Sequence, residues 1–357
     1  MDYITSSYNK LYLCHEHKEK KRCPHCQSLD TKKKGYSASR FRTKRGIIKR
    51  RLQRYFCKNC KKSFTHNQPH NRTRYSETIK YNAVKDYVIT KNSLSEVSAR
   101  YQITPPTILN WLKEQSSYFP SILSLHSKLP KSGVIQIDGK EIKVSGNRKV
   151  ILIASDAVSK KPFYYTLSNK ENKEASKHFL KGVKRVYGAP IKGIVSDFGK
   201  GKCFVGVVNS VLPDASHQIC IVHFLRYIWL FLPRTRRSEY YWRNTVLKWI
   251  IRKVITAKDK NESLYWLKLF IRWIPFFRAS YHKRFIRSLL TNYTYLTRHY
   301  DDSFLLTNTN RLENLNRQLN RKLKNLDGFK SVKNIKPFLR IWFANYINNK
   351  QIKTQLI

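Results

Sequence analysis

Two short apolar segments that each run into an aspartate constrain the fold of this chain most. Residues 134–137 lead into Asp138, and residues 191–196 lead into Asp197. Short apolar runs bounded by turn residues are typical of buried strands, and a carboxylate beside a core needs a counter-ion because its burial is costly. The chain carries 71 Lys and Arg residues against 22 acids. The two aspartates therefore predict a site for divalent metal next to phosphate.

The charge balance indicates a polyanionic partner. The formal net charge is +49 over 357 residues, a length that suits two to four domains. Basic residues run along the whole chain and no compact amphipathic basic helix stands out, which favours nucleic acid over a membrane surface. A solvated lysine-rich surface is the alternative, but protein surfaces normally mix both signs.

The cysteine content and the apolar runs favour an intracellular protein. Seven cysteines are an odd number, and four of them form two tight pairs, which is typical of a metal site in a reducing compartment. Residues 1–20 contain no apolar leader segment, and no apolar run approaches the length that spans a bilayer. We expect a cytoplasmic, nucleoid-associated location in a prokaryote and no membrane partner.

The two cysteine pairs predict a zinc ribbon. They are Cys23 with Cys26 and Cys57 with Cys60, each with two residues between the thiols. This spacing turns both thiolates of a pair toward one ion, and four thiolates close a tetrahedral structural zinc site. The connecting segment, residues 32–54, is densely basic; we expect it to be a loop that lies along DNA. Two unrelated surface pairs or a redox dithiol are the alternatives.

A second metal site near the start of the chain has weaker support. Cys14, His15 and His17 lie close together, but clusters of this kind near a terminus are often incidental.

A helix-turn-helix is predicted after the ribbon. Residues 93–101 suit a short helix with a serine cap, and residues 105–113 suit a second helix that opens with two prolines. In a DNA reader the second helix of such a pair lies in the major groove. Thr107, Asn110 and Lys113 would then face bases or phosphates. An ordinary helical hairpin is the alternative.

The segments around the two aspartates predict an α/β domain. The strand before Asp138 is followed by strands, helices and further strands in this order: strands 149–154 and 162–167, helix 172–187, the strand before Asp197, helix 202–212, and strand 216–222. A ribonuclease-H-like domain has this order of elements: three strands, a helix, a strand, a helix and a strand. The first and fourth strands lie side by side in that fold, which brings Asp138 and Asp197 together.

A later helix supplies a third carboxylate. Leucines recur at helical spacing from Leu312 to Leu326, and Glu313 sits beside this stripe rather than opposite it. The Glu313 side chain can therefore reach the interface with the α/β domain.

These residues together resemble a DDE transposase of the mutator-like insertion-sequence type. The resemblance rests on Asp138, Asp197, the Cys220 and His223 step, and the Thr-Asn-x-x-Glu-Asn-x-Asn signature around Glu313. It covers about residues 130–345 and implies a ribonuclease-H-like catalytic domain interrupted by an all-helical insertion. It also implies a DNA transposase that cleaves strands at element ends and transfers the 3′-hydroxyl into target DNA.

The resemblance further implies cofactors and partners. Two catalytic Mg²⁺ or Mn²⁺ ions would be held by the three acids, with Asp138 bridging both ions and Asp197 and Glu313 each holding one. The zinc would be structural. The partners would be the terminal inverted repeats of an element, its target DNA and a second copy of the chain in a homodimer.

The resemblance suggests five domains. We expect a zinc ribbon, a helix-turn-helix domain, a first catalytic part, a helical insertion and a second catalytic part, at residues 1–70, 71–127, 128–223, 224–304 and 305–357.

Each of the three acids also has an alternative interpretation, based on its neighbouring residues, that involves no metal. Asp138 with Gly139 suits a two-residue hairpin turn, and Asp197 suits an Asx-turn. Glu313 could complete a capping box with Asn310, or pair with Arg317 one helical turn later.

The motif cysteine and histidine and the tryptophans carry further expectations. Two ligands are too few for a metal, so an orienting role for Cys220 and His223 near the active site is favoured. Five tryptophans lie between residues 224 and 300, and most are expected in a core. Trp229, nearest the Cys/His step, is the candidate to stack on an unpaired base.

Two other functions compete with transposition. One is a non-catalytic DNA-binding regulator derived from a transposase, against which the intact acid triad argues. The other is a metal-dependent nuclease without strand transfer.

Overall fold

The computed structural model describes residues 21–43, 46–65, 75–126, 130–198, 204–232, 240–326 and 329–354. The chain divides into two compact units, Met1–Ala83 and Val84–Ile357. Cys14, His15 and His17, the weaker candidate metal site, lie outside the described residues.

The first unit contains a three-stranded antiparallel sheet. Its strands are β1 (Thr31–Thr43), β2 (Gly46–Cys57) and β3 (Ser63–Thr65), in the order β1-β2-β3. The Cys23 and Cys26 pair precedes β1, and Cys57 ends β2, so the hairpin brings the two cysteine pairs to the same end of the sheet.

The prediction that residues 32–54 form a loop is wrong, because this segment builds most of the β1–β2 hairpin. Its cations lie over aromatic rings within the sheet. The Arg51 guanidinium is 4.9 Å from the Tyr36 ring centre, and the Lys34 amine is 5.1 Å from that of Phe56. Such cation–π contacts offset the repulsion between the many Lys and Arg side chains, so the two basic strands can pair.

Three helices follow, α1 (Glu77–Ile89), α2 (Leu94–Tyr101) and α3 (Pro105–Ser116), and the boundary between the two units falls within α1. Ser93 caps α2 in a capping box with Glu96. Gln102 takes a left-handed conformation, φ 52°, that ends α2 and turns the chain into α3. The inward-facing side chains of α3, Ile108, Trp111 and Leu112, are buried.

The second unit is built on a five-stranded mixed sheet with the order β6-β5-β4-β7-β8. After the short helix α4 (Ile122–His126), its strands are β4 (Val134–Val144), β5 (Asn147–Asp156), β6 (Pro162–Ser168), β7 (Gly193–Ser196) and β8 (Ser216–Ile219). The first three strands pair antiparallel, and β4, β7 and β8 pair in parallel. The sheet therefore places β4 beside β7, as the strand order predicts.

One face of the sheet is covered by α5 (Lys173–Tyr187) and α6 (Val207–Val211). Ile135 and Ile137 of β4 pack there in a core that includes Phe179 and Leu180. The predicted strand 216–222 is too long, because β8 ends at Ile219 and a helix begins at Ile221.

Among the described residues between β8 and residue 297, four α-helices surround a second core. They are α7 (Ile221–Phe231), α8 (Tyr241–Ile255), α9 (Lys260–Arg272) and α10 (Ser280–Leu296). Phe224, Ile250, Phe270 and Phe285 are buried in this core. Ile219 at the end of β8 belongs to the same cluster, so the helices pack directly against the end of the sheet.

The prediction that most tryptophans of this segment are core residues is wrong. Trp242 is 74% exposed, and Trp229, Trp249 and Trp273 are also more than a third exposed. Seven-residue spacing does place Trp242 and Trp249 on one face of α8, but the buried face belongs to aliphatic side chains such as Ile250.

The opposite face of the sheet receives the chain as it returns from these helices, through α11 (Asn310–Lys324) and α12 (Val332–Thr354). Gly193 of β7 allows this approach, because a Cβ at this position would lie 2.4 Å from a methyl carbon of Leu305. The Phe343 ring of α12 stacks on Tyr165 of β6 at 5.0 Å. Within the described residues, no helix has the length and apolarity needed to cross a membrane.

Candidate active site and metal cluster

Asp138 lies in the middle of a strand rather than at its end. β4 continues for six residues beyond it, and Asp138 is opposite Ile153 of β5. The alternative in which Asp138 and Gly139 form a hairpin turn is therefore wrong; the chain reverses at Ser145 and Gly146 instead. Pairing with β5 therefore fixes the backbone at Asp138.

The Asp138 side chain is buried and accepts one short hydrogen bond. Its Oδ2 accepts from Asn316 Nδ2 of α11 at 2.6 Å. Burial, followed by the nearby charge of Asp197, raises the pKa of Asp138 to about 7. His223 and the Asn316 amide act in the opposite direction but do not outweigh burial. Such a carboxyl gains from a cation placed beside it.

Asp197 follows β7 directly and lies next to Asp138. Ile137 of β4 is level with Ser196 of β7 in a parallel pairing, so the next residue on each strand is an aspartate. Burial raises the pKa of Asp197 as well, while the charges of His223 and Arg226 oppose the rise. Two neighbouring carboxyls with raised pKa values indicate a site in which negative charge is concentrated.

The Cys220 and His223 step links Asp197 to the helix that carries Glu313. His223 Nδ1 lies 3.2 Å from Asp197 Oδ1 and forms a hydrogen bond with Cys220 Sγ, also at 3.2 Å. The backbone N–H of Thr309 donates to the same sulfur at 3.4 Å, and Thr309 Oγ1 lies 3.3 Å from His223 Nδ1. One thiol and one imidazole thus hold the start of α11 against the end of β7.

The pKa of His223 is set by two opposing causes. Burial lowers it, but the hydrogen bond to Cys220 and the charges of Asp197 and Asp138 together raise it to about 9. His223 is therefore an imidazolium at neutral pH, and its charge compensates part of the aspartate charge.

Glu313 lies in the first turn of α11 and faces two arginines. Its Oε1 lies 3.4 Å from both Nη1 and Nη2 of Arg226 on α7, and 3.8 Å from Arg317 Nη2. The pairing with Arg317 one turn later is therefore present. The capping box with Asn310 is not, because Thr309 is the N-cap and makes no side-chain capping bond.

The three acids are near one another without forming a closed cluster. Charge from both Asp197 and His223 acts on Asp138, and charge from Glu313 acts on Asp197. Among the residues that the structure describes, however, the four cysteines are the only group of three or more ligands with all ligand atoms within 4.8 Å. Glu313 is held by arginine instead.

The four ribbon cysteines lie close enough together to bind one metal ion. Cys23 Sγ lies 3.5 Å from Cys60 Sγ, and Cys26 Sγ lies 3.6 Å from Cys57 Sγ. The backbone N–H of Cys60 lowers the pKa of the Cys57 thiol to about 7, which favours the thiolate that metals bind. Four thiols at these distances suit a tetrahedral zinc ion.

Asp156, which also ends a strand, is a structural acid. Its two oxygens accept from the N–H groups of Ser132, Val158 and Ser159 and from the Tyr187 hydroxyl, at 2.7–2.9 Å. Its hydrogen bonds lower its pKa against the effect of burial. Its oxygens are therefore committed to holding the turn after β5 and the Tyr187 hydroxyl.

The remaining sequence candidates lie on α3 and α7. On α3, Asn110 and Lys113 are exposed and Thr107 is half-buried, with its hydroxyl 2.9 Å from that of Thr104. Trp229 on α7 is 37% exposed. Their roles stay predictions.

Sequence reasoning assigned no individual role to three residues of the site, Asn316, Arg226 and Thr309, although Thr309 and Asn316 belong to the signature around Glu313. For two of them, Arg226 and Asn316, the spacing along a helix could have identified the residue. Arg226 follows His223 by three positions and Asn316 follows Glu313 by three, which places each on the same helix face as its neighbour.

Comparison with known proteins identifies the family of this chain. Residues 134–350 match the transposase, Mutator family. A transposase for insertion sequence element ISRM5 from Rhizobium meliloti (strain 1021) is 24% identical over 244 residues, 66% of this chain and 55% of that protein. The chain thus spans little more than half the length of this relative.

A solved structure also aligns with part of the chain. It is a cryo-EM structure of the simian T-cell lymphotropic virus intasome in complex with PP2A regulatory subunit B56 gamma, 15% identical, covering 47% of this chain and 64% of that one. Its TM-score of 0.23 carries no argument about the fold. The family match covers more than half of the chain and confirms the predicted resemblance, and the chain belongs to the Mutator family of transposases.

Proposed function

We propose that this chain is a DDE-type DNA transposase that cleaves DNA strands at element ends and transfers the 3′-hydroxyl into target DNA. The observation that carries the proposal is the pair of aspartates on neighbouring parallel strands, Asp138 and Asp197. Glu313 is the third acid, on a helix packed against the same face of the sheet. Membership of the Mutator family supports a transposase role.

The fold proposal follows from the sheet. The order β6-β5-β4-β7-β8, with three antiparallel strands and two parallel ones, suits a ribonuclease-H-like domain. We propose that residues 128–223 and 305–357 form this domain and that residues 224–304 are a helical insertion within it. Residues 1–70 would be the zinc ribbon and residues 71–127 the helix-turn-helix domain.

The acids fit Mg²⁺ or Mn²⁺. Both ions prefer oxygen ligands, and the site offers three carboxylates. Asp197 Oδ1 is buried and lies 3.2 Å from His223 Nδ1, but it accepts no hydrogen bond of good geometry from any described residue, so it keeps acceptor capacity for a metal cation. Asp138 would contact both ions, and Asp197 and Glu313 one each. Bound metal would activate the attacking hydroxyl and stabilise the leaving oxygen.

The neighbouring side chains would hold the acids in place. Asn316 orients Asp138 through its amide, and His223 with Cys220 ties Asp197 to the start of α11. An orienting role for Cys220 and His223 therefore has support in the geometry. Outer contacts of this kind fix the direction of a ligand and its basicity.

The rest of the chain would bind DNA. Thr107, Asn110 and Lys113 on α3 would contact the element ends, and Trp229 would stack on an unpaired base. The ribbon zinc would be structural, because the four cysteines fill its coordination. Two ends must be joined to one target, so we propose a homodimer.

A cleavage and joining assay tests the function. The full chain is incubated with Mg²⁺ and DNA that carries the element ends, beside the variants Asp138→Ala, Asp197→Ala and Glu313→Ala. We expect cleavage and joining by the wild type only, with DNA binding retained by the variants. Asp214→Ala, which alters an exposed aspartate outside the site, is the matched control and should remain active.

The same assay separates the competing functions. A DNA-binding regulator is favoured by one observation, the failure of the three acids to gather within 4.8 Å. Absence of cleavage by the wild type would support the regulator and overturn the proposal. Cleavage without joining would support a nuclease.

A further inference from the structure

Arg226 contacts one acid of the site, and its charge acts on a second. It lies on α7, three residues after His223, and both of its terminal nitrogens are 3.4 Å from Glu313 Oε1. Its charge also lowers the pKa of Asp197, against the larger effect of burial, while the Glu313 charge raises it. One guanidinium therefore compensates two of the three carboxylates.

The contact between Arg226 and Glu313 is weak enough for either side chain to leave it for a stronger partner. Both guanidinium nitrogens point at a single oxygen, so the paired fork geometry of a strong arginine–carboxylate contact is not formed. The Arg226 side chain is 48% exposed and that of Glu313 is 24% exposed. Partly exposed pairs of this kind contribute about 1 kcal/mol or less, which a stronger ligand for either partner would outweigh.

A DNA phosphate is such a ligand. The guanidinium plane matches two phosphate oxygens, and arginine is the side chain best suited to this contact. The chain carries a net charge of +49, which attracts the DNA backbone to its surface. Release of Glu313 would leave its carboxylate free to join Asp138 and Asp197.

We propose that Arg226 is a positioning residue that holds Glu313 away from the metal in the DNA-free protein and gives it up when the arginine binds a DNA phosphate. This rests on the proposed function of the acid site. Metal binding and DNA binding would then strengthen each other, because each removes one partner from the same ion pair.

Binding of Mn²⁺ to the full chain, measured by calorimetry, tests the proposal without relying on activity. In the absence of DNA, Arg226→Ala should bind Mn²⁺ about fivefold more tightly than the wild type, the factor that corresponds to a pair worth roughly 1 kcal/mol. Arg317→Ala removes the longer contact to Glu313, at 3.8 Å, and should have a smaller effect.

A second titration in the presence of DNA tests the exchange. Element-end DNA should tighten Mn²⁺ binding to the wild type and have less effect on Arg226→Ala, in which Glu313 is already released. Arg226→Lys keeps the charge but loses the planar fork, so it should show a Mn²⁺ affinity near the wild type and a reduced response to DNA.

Three outcomes overturn or redirect the inference. Unchanged Mn²⁺ affinity in Arg226→Ala, or an undiminished response of this variant to DNA, would overturn it. If Asp138→Ala binds Mn²⁺ as tightly as the wild type, the acids are not the metal site and the proposed function itself fails. Circular dichroism and thermal melting of each variant establish that the fold is retained.

Discussion

The ribbon cysteines and the acid triad are both candidate metal sites, but only the cysteines have their ligand atoms close enough together to bind one ion. The four thiols lie within 4.8 Å of one another, while the three acids do not form such a group among the described residues. The ribbon ligands sit beside one small sheet, on turns next to β1 and β2. The acids come from two strands and a helix that returns after four intervening helices.

The chemistry of the ligands explains the difference. Thiols can be neutral and can pack as a small apolar cluster before metal arrives. Carboxylates repel one another, and burial raises the pKa values of Asp138 and Asp197 further. In the DNA-free site this repulsion is relieved by cations of the protein itself, His223 and Arg226. We infer that the thiol site can form before its metal binds. The acid site, in contrast, needs bound metal to bring its carboxylates together.

The largest expected effect is loss of the ribbon fold without zinc. Cys57→Ser, or removal of zinc by a chelator, should unfold the first unit, since structural zinc contributes on the order of 10 kcal/mol to such a small core. Loss of the strand signal in circular dichroism and of zinc by elemental analysis checks this. Affinity for DNA should fall at the same time.

The control for this prediction is Cys220→Ser, which alters a buried free cysteine outside the ribbon. It should keep its full zinc content. Retention of the ribbon fold in zinc-free Cys57→Ser would show that the cluster does not need metal and would erase the contrast with the acid site.

A smaller effect is expected when Asp138 loses its hydrogen-bond donor. Asn316→Leu leaves Asp138 Oδ2 without the 2.6 Å contact, so the carboxylate is both less well oriented and harder to ionise. Contacts of this kind typically change metal affinity by about 10- to 100-fold, and Mn²⁺ titration measures it. Gln318→Leu makes a similar change at an exposed position of α11 and should leave the affinity unchanged.

Local features of the sequence predicted more of this molecule than distant ones. The spacing within each cysteine pair and the α2 cap depend on residues a few positions apart. The neighbouring strands of Asp138 and Asp197 also followed, because the order of strands and helices restricts how a sheet can be connected.

The errors came from contacts that no local pattern contains. The apolar run 134–137 predicts that the strand ends at Asp138, yet pairing with β5 extends the strand to Val144. The role of Arg226 depends on α7 meeting α11 across the returning chain, and two residues on different helices have no fixed spacing. Side-chain exposure of Trp242 was misjudged because an aliphatic face competed for the core.

The smallest effect concerns how firmly α11 is held at the end remote from Glu313. Lys322 is buried there, donates to the Asn92 carbonyl at 2.8 Å and lies over the Tyr87 ring. Burial lowers its pKa from 10.5 to about 8, against the pull of Glu96 and Asp86. The unfolded chain therefore binds more protons between pH 8 and 10.5, and the contribution of Lys322 to stability rises with pH across this range.

Urea unfolding of the wild type and of Lys322→Met at several pH values measures this contribution. The difference in free energy of unfolding should shift in favour of the wild type by about 2 kcal/mol between pH 7.5 and 9.5. Lys324→Met, at an exposed position of the same helix, should show no such shift. A flat difference for Lys322→Met would mean that the charge is already solvated and that this end of α11 is as loosely held as the Glu313 end, whereas the expected slope would make α11 a helix anchored at one end and free to adjust its carboxylate at the other.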